Sequence, residues 1–176
     1  GGLHGANRLG GNSLAEILIF GKRAGKAAAI RSDEIGVHFR SKQVIQEAHD
    51  KIDRFIKNGS EVARPRQRAL RNIMWEHCGV VRNEASLKEG LEKVEELKKS
   101  IQYLDVRPDS EGFEDLVLAF DLEASIMSAE ATMLSALSRR ESRGAHQRSD
   151  YSGLRTDESH NYRIHLDKDQ VLSQSI

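Results

Sequence analysis

Within HGANRLGGNSLAE, from His4 to Glu16, three kinds of group that handle anions occur close together: an arginine, a set of glycines and a helix start. Arg8 offers a planar fork of donors that can grip a carboxylate through two parallel hydrogen bonds, fixing orientation as well as charge. Gly5, Gly10 and Gly11 allow backbone conformations and close ligand approaches closed to other residues. The spacing of Ser13 to Glu16 predicts a capping box, with Ser13 as the residue that opens a helix. A helix start presents unpaired amides and a partial positive charge, which attract an anion or an electron-rich ring edge. His4 and Asn7, beside the glycines, are secondary candidates for lining such a site.

An element must hold this bend in place, and the apolar run Ile17, Leu18, Ile19 and Phe20 predicts a helix over about 13–30 that needs burial on several sides. Residues 31–40 lack a firm period, and the boundary between two regions is set at Gly36. From about Ser41 the chain is strongly helical. One stripe contains Val44, Ile45, Ala48, Ile52, Phe55 and Ile56, and Asn58-Gly59 closes it. Pro65 suits the first turn of a helix carrying Leu70, Ile73, Met74 and His77 and ending near Gly79. A further helix is expected from Ser86, through a Ser86/Glu89 capping box, with a seam of Leu87, Leu91, Val94, Leu97, Ile101 and Leu104. After Pro108, a long helix over about 112–140 is expected to bury Phe113, Leu116, Val117, Phe120, Ala124, Met127, Ala131, Leu134 and Leu137. These stripes belong to a bundle. The expected regions are 1–36, 37–143 and an irregular tail at 144–176, in which 162–166 alternates like a short strand.

Composition narrows the classes of function. Lys+Arg 27 and Asp+Glu 27 cancel in 176 residues, so no net field favours nucleic acid or an anionic membrane. No apolar run is long enough for direct membrane insertion, and no basic leader with a cleavage site precedes the first helix. Cys78 is the only cysteine, which excludes an internal disulfide. His77 and Cys78 are adjacent and diverge on a helix, and His160 and His165 lack partners at metal-ligand spacing, so no metal site is read.

Three segments, in order, carry a resemblance. HGANRLGGNSL followed by FGKRAG closely resembles the end of the flavin-binding domain in the succinate dehydrogenase and fumarate reductase flavoprotein subunits, and L-aspartate oxidases are similar here. HCGVVRNEASLKEGLEKVEEL and RESRGAHQRSDY resemble the carboxy-terminal helical region of the same superfamily. The resemblance implies a mainly α chain: a helical bundle preceded by the last loop and helix of an α/β FAD-binding domain, corresponding to about the last third of such a flavoprotein. It further implies FAD as cofactor and succinate or fumarate as dicarboxylate substrate. Arg8 would bind a substrate carboxylate, His4 would line the substrate site, and Asn12, Ser13 and Leu14 would contact the flavin, the last two through backbone amides.

By the same resemblance, no catalytic residue lies in this chain, because the proton-transfer arginine and the flavin fingerprint belong to upstream sequence. The implied partners are the remainder of the flavoprotein and an iron-sulfur subunit that takes the electrons. The implied location is cytoplasmic, peripheral to the inner face of a membrane through partner subunits. L-aspartate oxidase is the alternative enzyme, and a non-catalytic helical interaction module is the alternative outside enzymes. RESRGAHQRSDY, with Arg139 just before it, crowds Arg140, Arg143 and Arg148 with Glu141, His146 and Asp150. The favoured reading is an ion-paired hinge pinning the bundle to its neighbour rather than a cover for the flavin. Ser152 stands where the family usually has proline.

Overall fold

In a computed structural model of the chain, residues 3–8, 10–36, 41–56, 59–107, 113–157, 161–167 and 170–175 are described. Expectations placed on Asn58, Pro108, Gly112 and His160 lie outside them. The elements, in chain order, are α1 (Asn12–Glu34), α2 (Lys42–Asp53), α3 (Ala63–His77), β1 (Val81–Arg82), α4 (Glu84–Ser100), a 3-10 turn (Ile101–Tyr103), α5 (Glu114–Ser138), β2 (Gln147–Arg148), β3 (Tyr162–Asp167) and β4 (Gln170–Ser175). Two compact units form, Gly1–Glu47 and Ala48–Ile176, and the division falls within α2.

In the first unit, α1 has no buried residue, and Leu14, Ile17, Leu18, Ile19 and Phe20 all lie exposed. The burial on several sides expected for this run is therefore not present among the described residues. The Ser41 hydroxyl accepts the Val44 amide at 3.2 Å, opening α2 where the sequence predicts. No residue of α2 is buried either, so Val44, Ile45, Ala48 and Ile52 of the expected stripe stay exposed.

In the second unit α3, α4 and α5 pack pairwise around one core. The expected α4 seam is present, with Leu87, Val94, Leu97 and Leu104 buried. Two expectations are corrected. The α4 helix starts at Glu84 and its cap is Asn83, whose Oδ1 accepts the Ser86 amide at 2.9 Å, so Ser86 sits inside the first turn and forms no capping box with Glu89. Asn83 is extended and outcompetes the later serine for the role. On α5 the buried line is Ala119, Leu122, Ile126, Ala129, Met133 and Ala136, while Phe113, Val117 and Met127 are exposed. That helix is apolar on nearly every side, so periodicity names no unique face. The small alanines let α3 and α4 approach closely. Phe113 is a left-handed N-cap residue (φ 59°) rather than a core residue.

Phe55 lies beyond the end of α2, fully buried, and meets Phe120 edge to face at 5.1 Å. The tail departs from an irregular one. β3 pairs antiparallel with β4 from Tyr162↔Ser175 to Asp167↔Gln170, and the hairpin packs on α5 with Val171 buried. The alternation of Tyr162, Ile164 and Leu166 announces β3, whereas β4, of the same length, is too polar to announce itself. β1 and β2 form a parallel pair.

Candidate functional site

The bend ahead of α1 is made by two residues that need glycine: Gly5 at φ 58° and Gly11 at φ 85°. Because the chain turns at Gly11, the helix begins at Asn12, and Ser13 falls in the second helical position. There its hydroxyl cannot cap. The expected Ser13/Glu16 capping box is therefore absent, and Gly11 is the N-cap with no side-chain hydrogen bond to the first turn.

Both side chains are engaged from the bend instead. Arg8 Nη1 donates to Ser13 Oγ at 2.8 Å, and the His4 ring Nε2 meets the Glu16 carboxylate. Residues 13 and 16 share one helix face, so Arg8 and His4 hang beside each other along the start of α1. The guanidinium is exposed and has further donors beyond the one given to Ser13. Asn7 and Asn12 are exposed. The Leu14 amide turns into the helix and donates to the Gly11 carbonyl at 3.1 Å, which weakens it as a ligand donor. A Cβ built on Gly10 or Gly11 would meet nothing within 4 Å, so the backbone there is open to approach. A cation, an uncapped helix start and unobstructed backbone suit an anionic or electron-accepting ligand.

RESRGAHQRSDY forms a clamp inside the second unit, and the neighbour it pins is its own bundle. Arg148 is fully buried. Its Nη1 donates to the Ala136 carbonyl at 2.7 Å, and its Nε and Nη2 grip both Asp150 oxygens at 2.7 Å. Asp150 in turn accepts the Glu84 amide at 2.8 Å, so one ion pair ties the end of α5 to the start of α4. The buried Glu141 takes hydrogen bonds from Arg139, from Arg143 and from the Arg155 amide. These donors hold Glu141 and Asp150 at a pKa of about 2, with the side-chain bond from Arg143 and from Arg148, respectively, contributing most.

Sequence reasoning missed that Arg148 closes α5. The available signal was a long helix with no glycine after Ser138 and an arginine ten residues on. His77, expected on the stripe of α3, is buried there and receives Lys93 Nζ at 2.9 Å on Nε2, with Ser86 Oγ 3.3 Å from Nδ1. Burial pushes the Cys78 thiol up, in keeping with a packing role. Among the described residues, no helix is long and apolar enough to cross a membrane.

Together these features define a class: an α-helical bundle closed by a small hairpin, preceded by a glycine bend that sets a cation at a helix start. The family description "Fumarate reductase flavoprotein C-term" matches residues 67–172, and the chain belongs to that family. Similar curated proteins include the fumarate reductase (CoM/CoB) of Methanothermobacter marburgensis, one polypeptide of which is 38% identical over 157 residues, covering 88% of this chain and 28% of that protein. The fumarate reductase flavoprotein subunit of Escherichia coli is 34% identical over 156 residues, covering 85% and 25%. Among solved structures, quinol fumarate reductase from E. coli superposes with TM-score 0.87 at 29% identity, covering 99% of this chain and 31% of that one. The Mycobacterium smegmatis Sdh1 complex gives TM-score 0.86 at 28% identity, covering 100% and 31%. Adenylylsulfate reductase from Archaeoglobus fulgidus, at 22% identity and TM-score 0.66, shares the fold alone. The chain spans 28% or less of the length of these curated relatives.

Proposed function

We propose that this chain is the carboxy-terminal part of an FAD-dependent oxidoreductase that interconverts succinate and fumarate, with 1–36 forming the edge of its flavin domain. The observation that carries the reading is the Arg8–Ser13 contact, which sets a guanidinium against the start of a helix that no side chain caps. Further support comes from the names of its relatives, which are flavoprotein subunits of these two enzymes.

Arg8 binds one substrate carboxylate and thereby orients the diacid, while His4, held by Glu16, borders the same helix face. Bound flavin supplies hydride exchange with the substrate carbon. The start of α1, from Asn12 to Leu14, would hold the flavin, and its partial positive charge would stabilise negative charge developing there. Of the Ser13 and Leu14 amides, that of Ser13 is the stronger donor, since Leu14 N–H is turned toward Gly11. The iron-sulfur subunit takes the electrons, and the assembly sits on the cytoplasmic side, peripheral to the membrane through its partners.

The test is turnover of succinate, fumarate and L-aspartate by the full-length protein in its complex, wild type against Arg8→Gln and Arg8→Lys. Succinate and fumarate should be turned over in preference to L-aspartate. Arg8→Gln should lower kcat/KM at least about 100-fold, the ~3 kcal/mol that hydrogen bonds between charged groups supply, with flavin content unchanged. Unchanged kcat/KM in Arg8→Gln would overturn the assignment, and preference for L-aspartate would move the chain to the oxidase.

A further inference from the structure

We propose that His146 is an acid-sensitive latch that joins the α3–α4 connector to the segment following α5. The inference rests on what the two ring nitrogens face. Nδ1 lies 3.2 Å from Nη1 of Arg82. A guanidinium can only donate, so Nδ1 must hold a lone pair. Nε2 lies 3.2 Å from the backbone carbonyl of Arg139, which can only accept, so Nε2 must carry the hydrogen. A single neutral tautomer satisfies both contacts at once. The doubly protonated ring satisfies only one.

What surrounds the ring makes that second proton costly. From the connector comes Arg82, from the end of α5 Arg139, and from β2 Arg148, three cations. The nearby carboxylates are taken. Glu141 is held by Arg139, Arg143 and the Arg155 amide, and Asp150 by Arg148 and the Glu84 amide. A proton on Nδ1 would therefore point at a guanidinium, with neither of these two carboxylates free to receive it. Either the ring turns out or Arg82 leaves. Burial first, then the three arginines, hold the histidine below its ordinary range, while the Arg139 carbonyl opposes them.

Releasing Arg82 has a defined consequence. Its backbone is one rail of the parallel pair, opposite Arg148, and its carbonyl accepts the Ser149 amide at 2.9 Å. The Arg82 side chain also closes the preceding turn, with Nε donating to the Gly79 carbonyl at 3.0 Å. Acid thus loosens β1 and β2 together and leaves the bundle core alone. Because the folded form resists the proton, the unfolded form takes it first as pH falls. The latch's contribution is intact above about pH 6.5, the ordinary histidine value, and declines below it.

The test is hydrogen-deuterium exchange by mass spectrometry on the full-length protein from pH 8 to 5, corrected for the intrinsic pH dependence, with exchange at the imidazole carbon reporting His146 titration. Protection of peptides spanning 80–84 and 146–151 should fall about 10-fold as His146 titrates, with peptides from the middle of α5 unchanged. His146→Gln keeps an acceptor and a donor without a titrating ring, and its protection should not vary with pH. Flat protection in the wild type overturns the proposal, as does the same pH response in His146→Gln. Titration of His146 at or above the ordinary histidine range also overturns it, a readout that needs no variant to fold.

Discussion

Arg148 reaches back twelve residues to the carbonyl of Ala136, and the 2.7 Å hydrogen bond makes a side chain supply the donor that another helical turn would have given. Its Nε and Nη2 go to Asp150, which itself receives the first amide of α4. A positive group at the carboxy end of one helix and a negative group at the amino end of another each oppose the local helix charge. The pair stabilises both helices, and also joins them.

Removing that guanidinium should be costly. Arg148→Ala takes the buried fork away from the Ala136 carbonyl and from Asp150, which is partly exposed and keeps the Glu84 amide, so a loss of about 1–3 kcal/mol is expected, the range for a polar group left without its donor. Arg148→Lys keeps the charge but not the fork, so its loss should be smaller yet clear. Urea denaturation followed by circular dichroism at 222 nm measures both. Equal stability of the lysine variant and the wild type would show that the fork geometry is unimportant.

The acid limb of stability should come from Glu141 and Asp150. Both are held at about 2, below their ordinary carboxylate values, so the folded state binds protons less readily than the unfolded one. Their contribution is complete above about pH 4.5 and is lost as pH falls toward 2. Urea midpoints measured across that window should fall steeply in the wild type. In Glu141→Gln, whose stability at pH 7 is already reduced, the slope should be shallower. An unchanged slope would assign the acid limb to other groups.

The parts of the fold that were legible in the sequence are those fixed by local chemistry. The α4 seam from Leu87 to Leu104 and the opening of α2 at Ser41 are readable from spacing alone. The buried face of α5 was not, because a helix apolar all round takes its face from what packs on it, and that information sits in α3 and α4. The clamp was legible as a cluster of opposite charges but not as a helix cap, since the cap joins residues 136 and 148 only after the chain folds back. At the candidate site the residue types were legible, whereas the positive φ of Gly11 moved the cap two residues upstream of Ser13 and gave Ser13 a different partner.

Gly90 marks where the three bundle helices crowd. A Cβ there would lie 2.6 Å from the His77 Cβ and 2.8 Å from the Met133 Cε. Alanine gains up to about 1 kcal/mol in helix propensity, but the methionine end can move while the His77 Cβ can do so only with its backbone. Gly90→Ala should therefore destabilise, by about 1–3 kcal/mol as overpacking typically does. A urea midpoint equal to or above that of the wild type would contradict the close crossing.

The exposed apolar surface of α1 predicts association. As a free 176-residue polypeptide, the chain should self-associate through Ile17, Leu18 and Phe20. Substituting Ile17 and Leu18 together by Glu should return it to a monomer in sedimentation velocity. Persistence of the oligomer would place the contact elsewhere.

Ser13 gives the sharpest test of how the candidate site is organised. Its hydroxyl accepts from Arg8 and caps nothing, so removing it frees the guanidinium without uncapping α1. On the succinate–fumarate reading, Ser13 is a positioning residue: Arg8 keeps its charge in Ser13→Ala but loses one fixed direction. A single hydrogen bond to a charged group contributes about 1.5 kcal/mol or somewhat more, so kcat/KM in the full-length enzyme should fall roughly 10-fold, mostly through a higher KM. Ser13→Thr, which retains the hydroxyl, should restore most of it. A merely structural serine would change thermal stability in both variants and leave the KM-to-kcat balance alone. Loss of kcat with KM unchanged would mean that the hydroxyl acts on the reacting atoms rather than through Arg8.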